Sequence, residues 1–188
     1  METFLAFIVS GNLDAAKGAV AGIGAHAEQG KAFRFACYLG HLDVAKWLRD
    51  IPIPSDCGAS FRELDEYCFR VACEEGHLNV AQWLWDITPE MRKPYVQHVF
   101  TRTCQSGQLE VAQWLLGAGD IDVRAQDDEA FRYACQGGNL NVCKWLLENF
   151  PDIDVHAMDD FALHSACSMQ QFEVVAWLVA ECKTLDTL

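Results

Sequence analysis

No apolar stretch of the 188-residue chain approaches the ~18 residues that a membrane-spanning helix needs. A basic leader is missing too. Glu2 stands where the positive region of a secretory signal belongs, and Ser10, Gly11, Asn12 and Asp14 interrupt the apolar run from Phe4 to Val9. Basic residues are scarce: 14 Lys and Arg face 27 Asp and Glu, a formal net charge of −13. That balance argues against a nucleic-acid binder, which carries a basic surface, and favours a partner protein whose own surface is basic. No GxSxG, HExxH or phosphate-loop sequence is present, and no cysteine pair has the C-x2-C spacing of a zinc knuckle. The expectation is a non-enzyme with no catalytic residue, no metal and no cofactor. It is expected to be cytoplasmic, without membrane association.

Apolar residues and cysteines are plentiful. Hydrophobic residues make up 51% of the chain, which excludes a disordered protein. Nine cysteines are an odd number, so they cannot all pair within the chain, and free thiols in a reducing compartment follow.

The chain repeats itself. Ala32-Phe33-Arg34-Phe35-Ala36-Cys37, followed by Gly40-His41-Leu42-Asp43-Val44-Ala45-Lys46-Trp47-Leu48, returns at Phe69 to Cys73 and Gly76 to Leu84. Further copies run from Phe100 to Leu115, Phe131 to Leu146 and Leu163 to Leu178, and a degenerate one opens the chain. Tryptophans 47, 83, 114, 145 and 177 are spaced 36, 31, 31 and 32 apart. The expected domain is a single array over 1–188, with a degenerate first repeat at 1–25. The others fall at about 26–60, 61–93, 94–124, 125–156 and 157–188. Each unit reads as two short helices. Phe131, Ala134 and Cys135 form one apolar stripe at i, i+3 and i+4, and the glycine three residues after the cysteine suits a helix C-cap. Neither helix is long enough to be stable alone, so neighbours must supply the rest of the core. The fold class is therefore all-α, a helical solenoid.

These residues resemble the ankyrin repeat. Leu163-His164-Ser165-Ala166-Cys167 is similar to the family's Leu-His-x-Ala-Ala, and Gly40-His41-Leu42 and Gly76-His77-Leu78 to its Gly-His-hydrophobic element. Asp122-Val123-Arg124-Ala125 and Asp154-Val155-His156-Ala157 look like its Asp-Val-Asn-Ala segment. The family's Thr-Pro and the glycine at its hairpin tip are absent, so short turns are expected in place of hairpin fingers. The Ala-Phe-Arg-x-Ala-Cys style is similar to arrays of giant amoeba-infecting viruses, which implies a viral source and the host cytoplasm. The resemblance implies a non-catalytic scaffold for protein–protein interaction.

Most repeated residues read as structural. Cys37, Cys73, Cys104, Cys135 and Cys167 replace a small packed residue, and the five tryptophans pack against the neighbouring unit. On that reading Trp114→Ala costs about 3–5 kcal/mol. Arg34, Arg70 and Arg132 are read as bonding carbonyls or carboxylates of the adjacent turn. His41 and His77 are read as parts of the inter-helix turn. Trp85 either packs or forms an exposed contact. The extra chain from Arg49 to Asp65 carries Pro52 and Pro54, and there Ile53 and Phe61 are candidate exposed anchors; a lid over Trp85 is the other reading.

The candidate partner-binding face lies where the units differ, between each repeated cysteine and its glycine. It comprises Tyr38, Leu39, Glu74, Glu75, Gln105 and Gln136. By resemblance, the first-helix ends and preceding turns line the concave surface, so Asp127, Asp128, Asp159 and Asp160 join it and make it acidic. The alternative use of these acids is to satisfy helix N-termini. A monomer is expected. The competing function is self-assembly through the last repeat, which has no obvious polar capping face.

Overall fold

The computed structural model describes residues 2–20, 26–51, 61–88 and 92–185, with backbone alone at 2–3, 20, 26–28, 61–63, 92–94 and 181–185. The described residues form twelve α-helices and no strand. They form six pairs: α1 (Glu2–Val9) with α2 (Leu13–Val20), α3 (His26–Tyr38) with α4 (Leu42–Asp50), and α5 (Phe61–Glu74) with α6 (Leu78–Ile87). The remaining pairs are α7 (Arg92–Gln105) with α8 (Leu109–Ala118), α9 (Ala125–Gln136) with α10 (Leu140–Asn149), and α11 (Ala157–Ser168) with α12 (Phe172–Leu185). The chain is all-α, a helical repeat fold, and it divides into two compact units, Met1–Met91 and Arg92–Leu188.

The turn inside each pair explains why the sequence repeats Gly-His. In the second pair, the Gly40 N–H donates to the Cys37 carbonyl at 3.3 Å and the His41 N–H to the Ala36 carbonyl at 2.9 Å, closing the helix as a Schellman motif. Gly40 sits at φ +75, a region where a Cβ is costly. A Cβ there would also stand 2.6 Å from the His77 ring of the next repeat. Glycine thus admits the histidine. His77 Nε2 reaches the Tyr38 carbonyl at 2.8 Å, and His41 Nε2 the Val9 carbonyl at 3.0 Å. In the second unit Asn139 takes this role, donating to the Gln105 carbonyl at 2.6 Å. These side chains tie each turn to the preceding repeat.

The fully buried anchors are the leucines that follow the tryptophans: Leu48, Leu84, Leu115, Leu146 and Leu178. The tryptophans themselves are half-buried. Trp83 meets Phe33 of the preceding repeat edge-on at 6.2 Å, and Trp177 meets Phe131 at 6.5 Å, so both pack between repeats as expected. Trp85 is buried against Phe69, ring centroids 5.6 Å apart, which resolves it as a packing residue.

Cys37, Cys73, Cys104 and Cys135 are buried, but Cys167 is exposed, contrary to its place in the repeated set. Its helix α11 packs on α9 and on its partner α12, and the Cys167 side chain is left at the surface. Burial pushes the Cys73 and Cys104 thiols well above the usual range. For Cys135, the hydrogen bond with Cys143 (Sγ to Sγ 3.5 Å) and then burial do the same. Such thiols hold little thiolate and react slowly. Brief treatment with iodoacetamide is therefore expected to modify Cys167 well before Cys73, Cys104 or Cys135, as read by peptide mass mapping. Equal labelling of all four would show that the repeats open freely.

Candidate protein-binding surface

The turns that precede the first helices of the last two repeats have a backbone the sequence does not announce. Gln126, Asp127 and Asp128 lie at φ 57, 56 and 58, and Met158, Asp159 and Asp160 at φ 56, 55 and 57. Each triplet is a left-handed turn fused to the following helix, and none of the six residues is glycine. In the first turn, the released carbonyls of Gln126 and Asp127 accept hydrogen bonds from the Arg132 guanidinium, both at 2.7 Å. Arg132 is buried there. Of the three repeated arginines Arg132 alone is seen to hold its turn in this way; Arg70 bonds Glu74 on its own helix, and Arg34 is exposed.

Asp128 departs from its expected place. Its carboxylate is 3% exposed, accepting the Arg124 Nε–H at 3.2 Å and, at 3.0 Å, the backbone N–H of Asp154 in the turn that leads into α11. It is therefore a structural clasp, buried where an exposed binding residue was expected. Gln97, 31 positions earlier, makes the matching clasp. Its side chain donates to the Asp122 carbonyl at 2.9 Å and accepts the Asp122 N–H at 3.0 Å.

The other candidates divide by what they touch. Tyr38, Glu75, Asp127 and Asp159 are exposed, and Leu39 is half-buried. Glu74 is engaged by Arg70 through two hydrogen bonds at 2.9 and 3.0 Å. Gln105 and Gln136 bond each other at 2.8 Å across adjacent repeats. Asp160 is paired with His156 at 2.5 Å. Ile53 and the Phe61 side chain lie outside the described residues.

A second grouping was not anticipated. On α3, Lys31, Arg34, Phe35 and Tyr38 share one face at i, i+3, i+4 and i+7, and with Tyr67 of α5 they line an open groove of about 440 Å³. Phe35, Tyr38 and Tyr67 are 45%, 46% and 42% exposed. The repeat pattern concealed this groove, because the position of Phe35 is occupied by buried Val71 in the next repeat.

Among the described residues, no three His, Cys, Asp or Glu side chains gather to hold a metal ion, and no helix is long and apolar enough to cross a membrane. The sequence of residues 100–187 matches the family described as Ankyrin repeats (3 copies). A comparison with the curated proteins finds no match. With helical pairs closed by the same turn in both units, and the match covering most of the second, residues 100–187 are ankyrin repeats.

Proposed function

We propose that this chain is a non-catalytic scaffold that binds a partner protein through first-helix ends and the turns before them. Ankyrin repeats are in general protein–protein interaction modules and typically non-catalytic. The observation that carries the reading is the exposure of Asp127 and Asp159 on left-handed turns of successive repeats. Carboxylates held on fixed backbone lose little entropy on pairing, and they attract a basic surface by electrostatic steering.

The test neutralises both acids by Asp127→Asn and Asp159→Asn, because asparagine tolerates the left-handed conformation that lysine resists. Proteins captured from the source lysate by the immobilised wild-type chain are expected to be lost from the double variant, and lost from the wild type at high salt. An unchanged captured set, with unchanged salt dependence, overturns the acidic-turn reading.

Self-association is the second reading. It is favoured by Phe172 and Met169, which are 76% and 58% exposed beside each other in the last repeat. Light scattering over a concentration series separates the two: a strict monomer removes self-association.

A further inference from the structure

The groove on α3 and α5 is the open form of an arrangement that the second unit closes on itself. In both, an arginine of one repeat faces an aromatic ring of the next: Arg34 over Tyr67 at 5.7 Å, and Arg132 over Phe161 at 5.0 Å. In the second unit every group is spent. Arg132 donates to two carbonyls, and Tyr133 packs on Phe161 with centroids 6.3 Å apart. In the first unit the corresponding carbonyls do not exist as free acceptors. The helix α3 runs unbroken from His26, so the carbonyls five and six residues before Arg34 lie inside its own hydrogen-bond ladder. Arg34 is exposed, and among the described residues no carboxylate pairs with it. Arg70, also against the Tyr67 ring at 5.2 Å, is by contrast engaged by Glu74.

The described lining of the groove thus places the Arg34 guanidinium, with Lys31 one turn before it, beside three exposed aromatic rings, and it includes no carboxylate. At physiological salt the Debye length is ~8 Å, so a bound group responds chiefly to the charges that line the groove. Tyrosine and arginine are also the residues that dominate interface energetics.

We propose that this groove binds a short acidic peptide segment of a partner protein, with a Phe, Tyr, Trp or Leu side chain placed against Phe35, Tyr38 and Tyr67. An Asp or Glu within one turn of it pairs with Arg34. The proposal rests on the reading that the chain binds protein, and it names the chemistry of one bound segment. A peptide is favoured over single-stranded nucleic acid because one carboxylate satisfies Arg34, whereas a polyphosphate needs a basic track that this acidic chain does not offer.

The probe is a phage-displayed dodecapeptide library selected on the full chain, followed by the synthetic consensus peptide in fluorescence polarisation. Selected peptides are expected to pair an acidic residue with a large apolar one. The consensus peptide is expected to bind roughly tenfold more weakly, or worse, to Arg34→Glu and to Tyr67→Ala. A peptide with lysine in place of the acid is expected to regain binding to Arg34→Glu. Arg34→Gln, with melting curves for all variants, guards against a folding defect. Binding unchanged by the Arg34 variants, a selected set without acidic residues, no enriched peptide, or tighter binding of an oligothymidylate overturns the proposal. Basic selected peptides that are lost on Asp127→Asn and Asp159→Asn overturn the groove while upholding the acidic turns.

Discussion

Phe131→Ala is expected to destabilise the second unit by about 3–5 kcal/mol, the usual cost of removing a fully buried phenylalanine. Phe131 is 0% exposed, its ring is met edge-on by Trp177 of the next repeat, and its helix α9 packs on both α7 and α11. The truncation therefore opens a cavity at a junction of repeats, where two neighbours depend on it. In an array stabilised by nearest-neighbour contacts, weakening one junction uncouples what lies on either side. Urea denaturation followed by tryptophan fluorescence is expected to show a lower midpoint and a broadened or two-step transition. Trp114→Ala is the contrast. Because Trp114 is half-buried, its removal is expected to cost less than that of Phe131, below the 3–5 kcal/mol range that full burial implies. Equal losses for the two variants would show that the half-buried tryptophans hold the repeats together as strongly as the buried phenylalanines.

The periodicity of 31 to 36 residues was enough to read the helical pairs, because each pair needs the same stripe, the same glycine and the same packing leucine. The Gly-His turn was legible for the same reason: Gly40 and His77 are coupled by a steric requirement that recurs from repeat to repeat. What differs between copies was not legible. Asp127 and Asp128 are adjacent acids in one polar run, yet one is exposed and the other buried, because a left-handed turn points successive side chains along directions that helical or extended spacing does not give. The groove was hidden by the repeat itself. Arg34 and Arg132 occupy the same position, and only the backbone preceding each decides whether the guanidinium is spent on carbonyls or left exposed. Cys167 escaped as well: it shares its position with four buried cysteines and is nonetheless exposed, a difference between copies that a repeated motif does not report.

Asp128→Ala is expected to cost about 2.5–5 kcal/mol, although Asp128 lies in a turn where a surface acid would cost nothing. Two losses combine. The Asp154 N–H forfeits a carboxylate acceptor at 3.0 Å, a hydrogen bond to a charged group of which roughly 1.5–3 kcal/mol is net stabilisation. Alanine must also hold φ near +58, where aspartate and asparagine are tolerated and other L-residues are strained by about 1–2 kcal/mol. Asp128→Asn separates these effects from charge. Its amide oxygen still accepts the Asp154 N–H, and its backbone tolerates the turn. Only the pairing with Arg124 is lost, and because that arginine side chain is 51% exposed the loss is about 1 kcal/mol or less. The expected order of stability in urea is wild type, then Asp128→Asn, then Asp128→Ala. Hydrogen exchange at the Asp154 amide is expected to accelerate only in the alanine variant. Should both variants melt like the wild type with Asp154 still protected, the clasp that holds these two turns would lie elsewhere, and the turn would not need its buried acid.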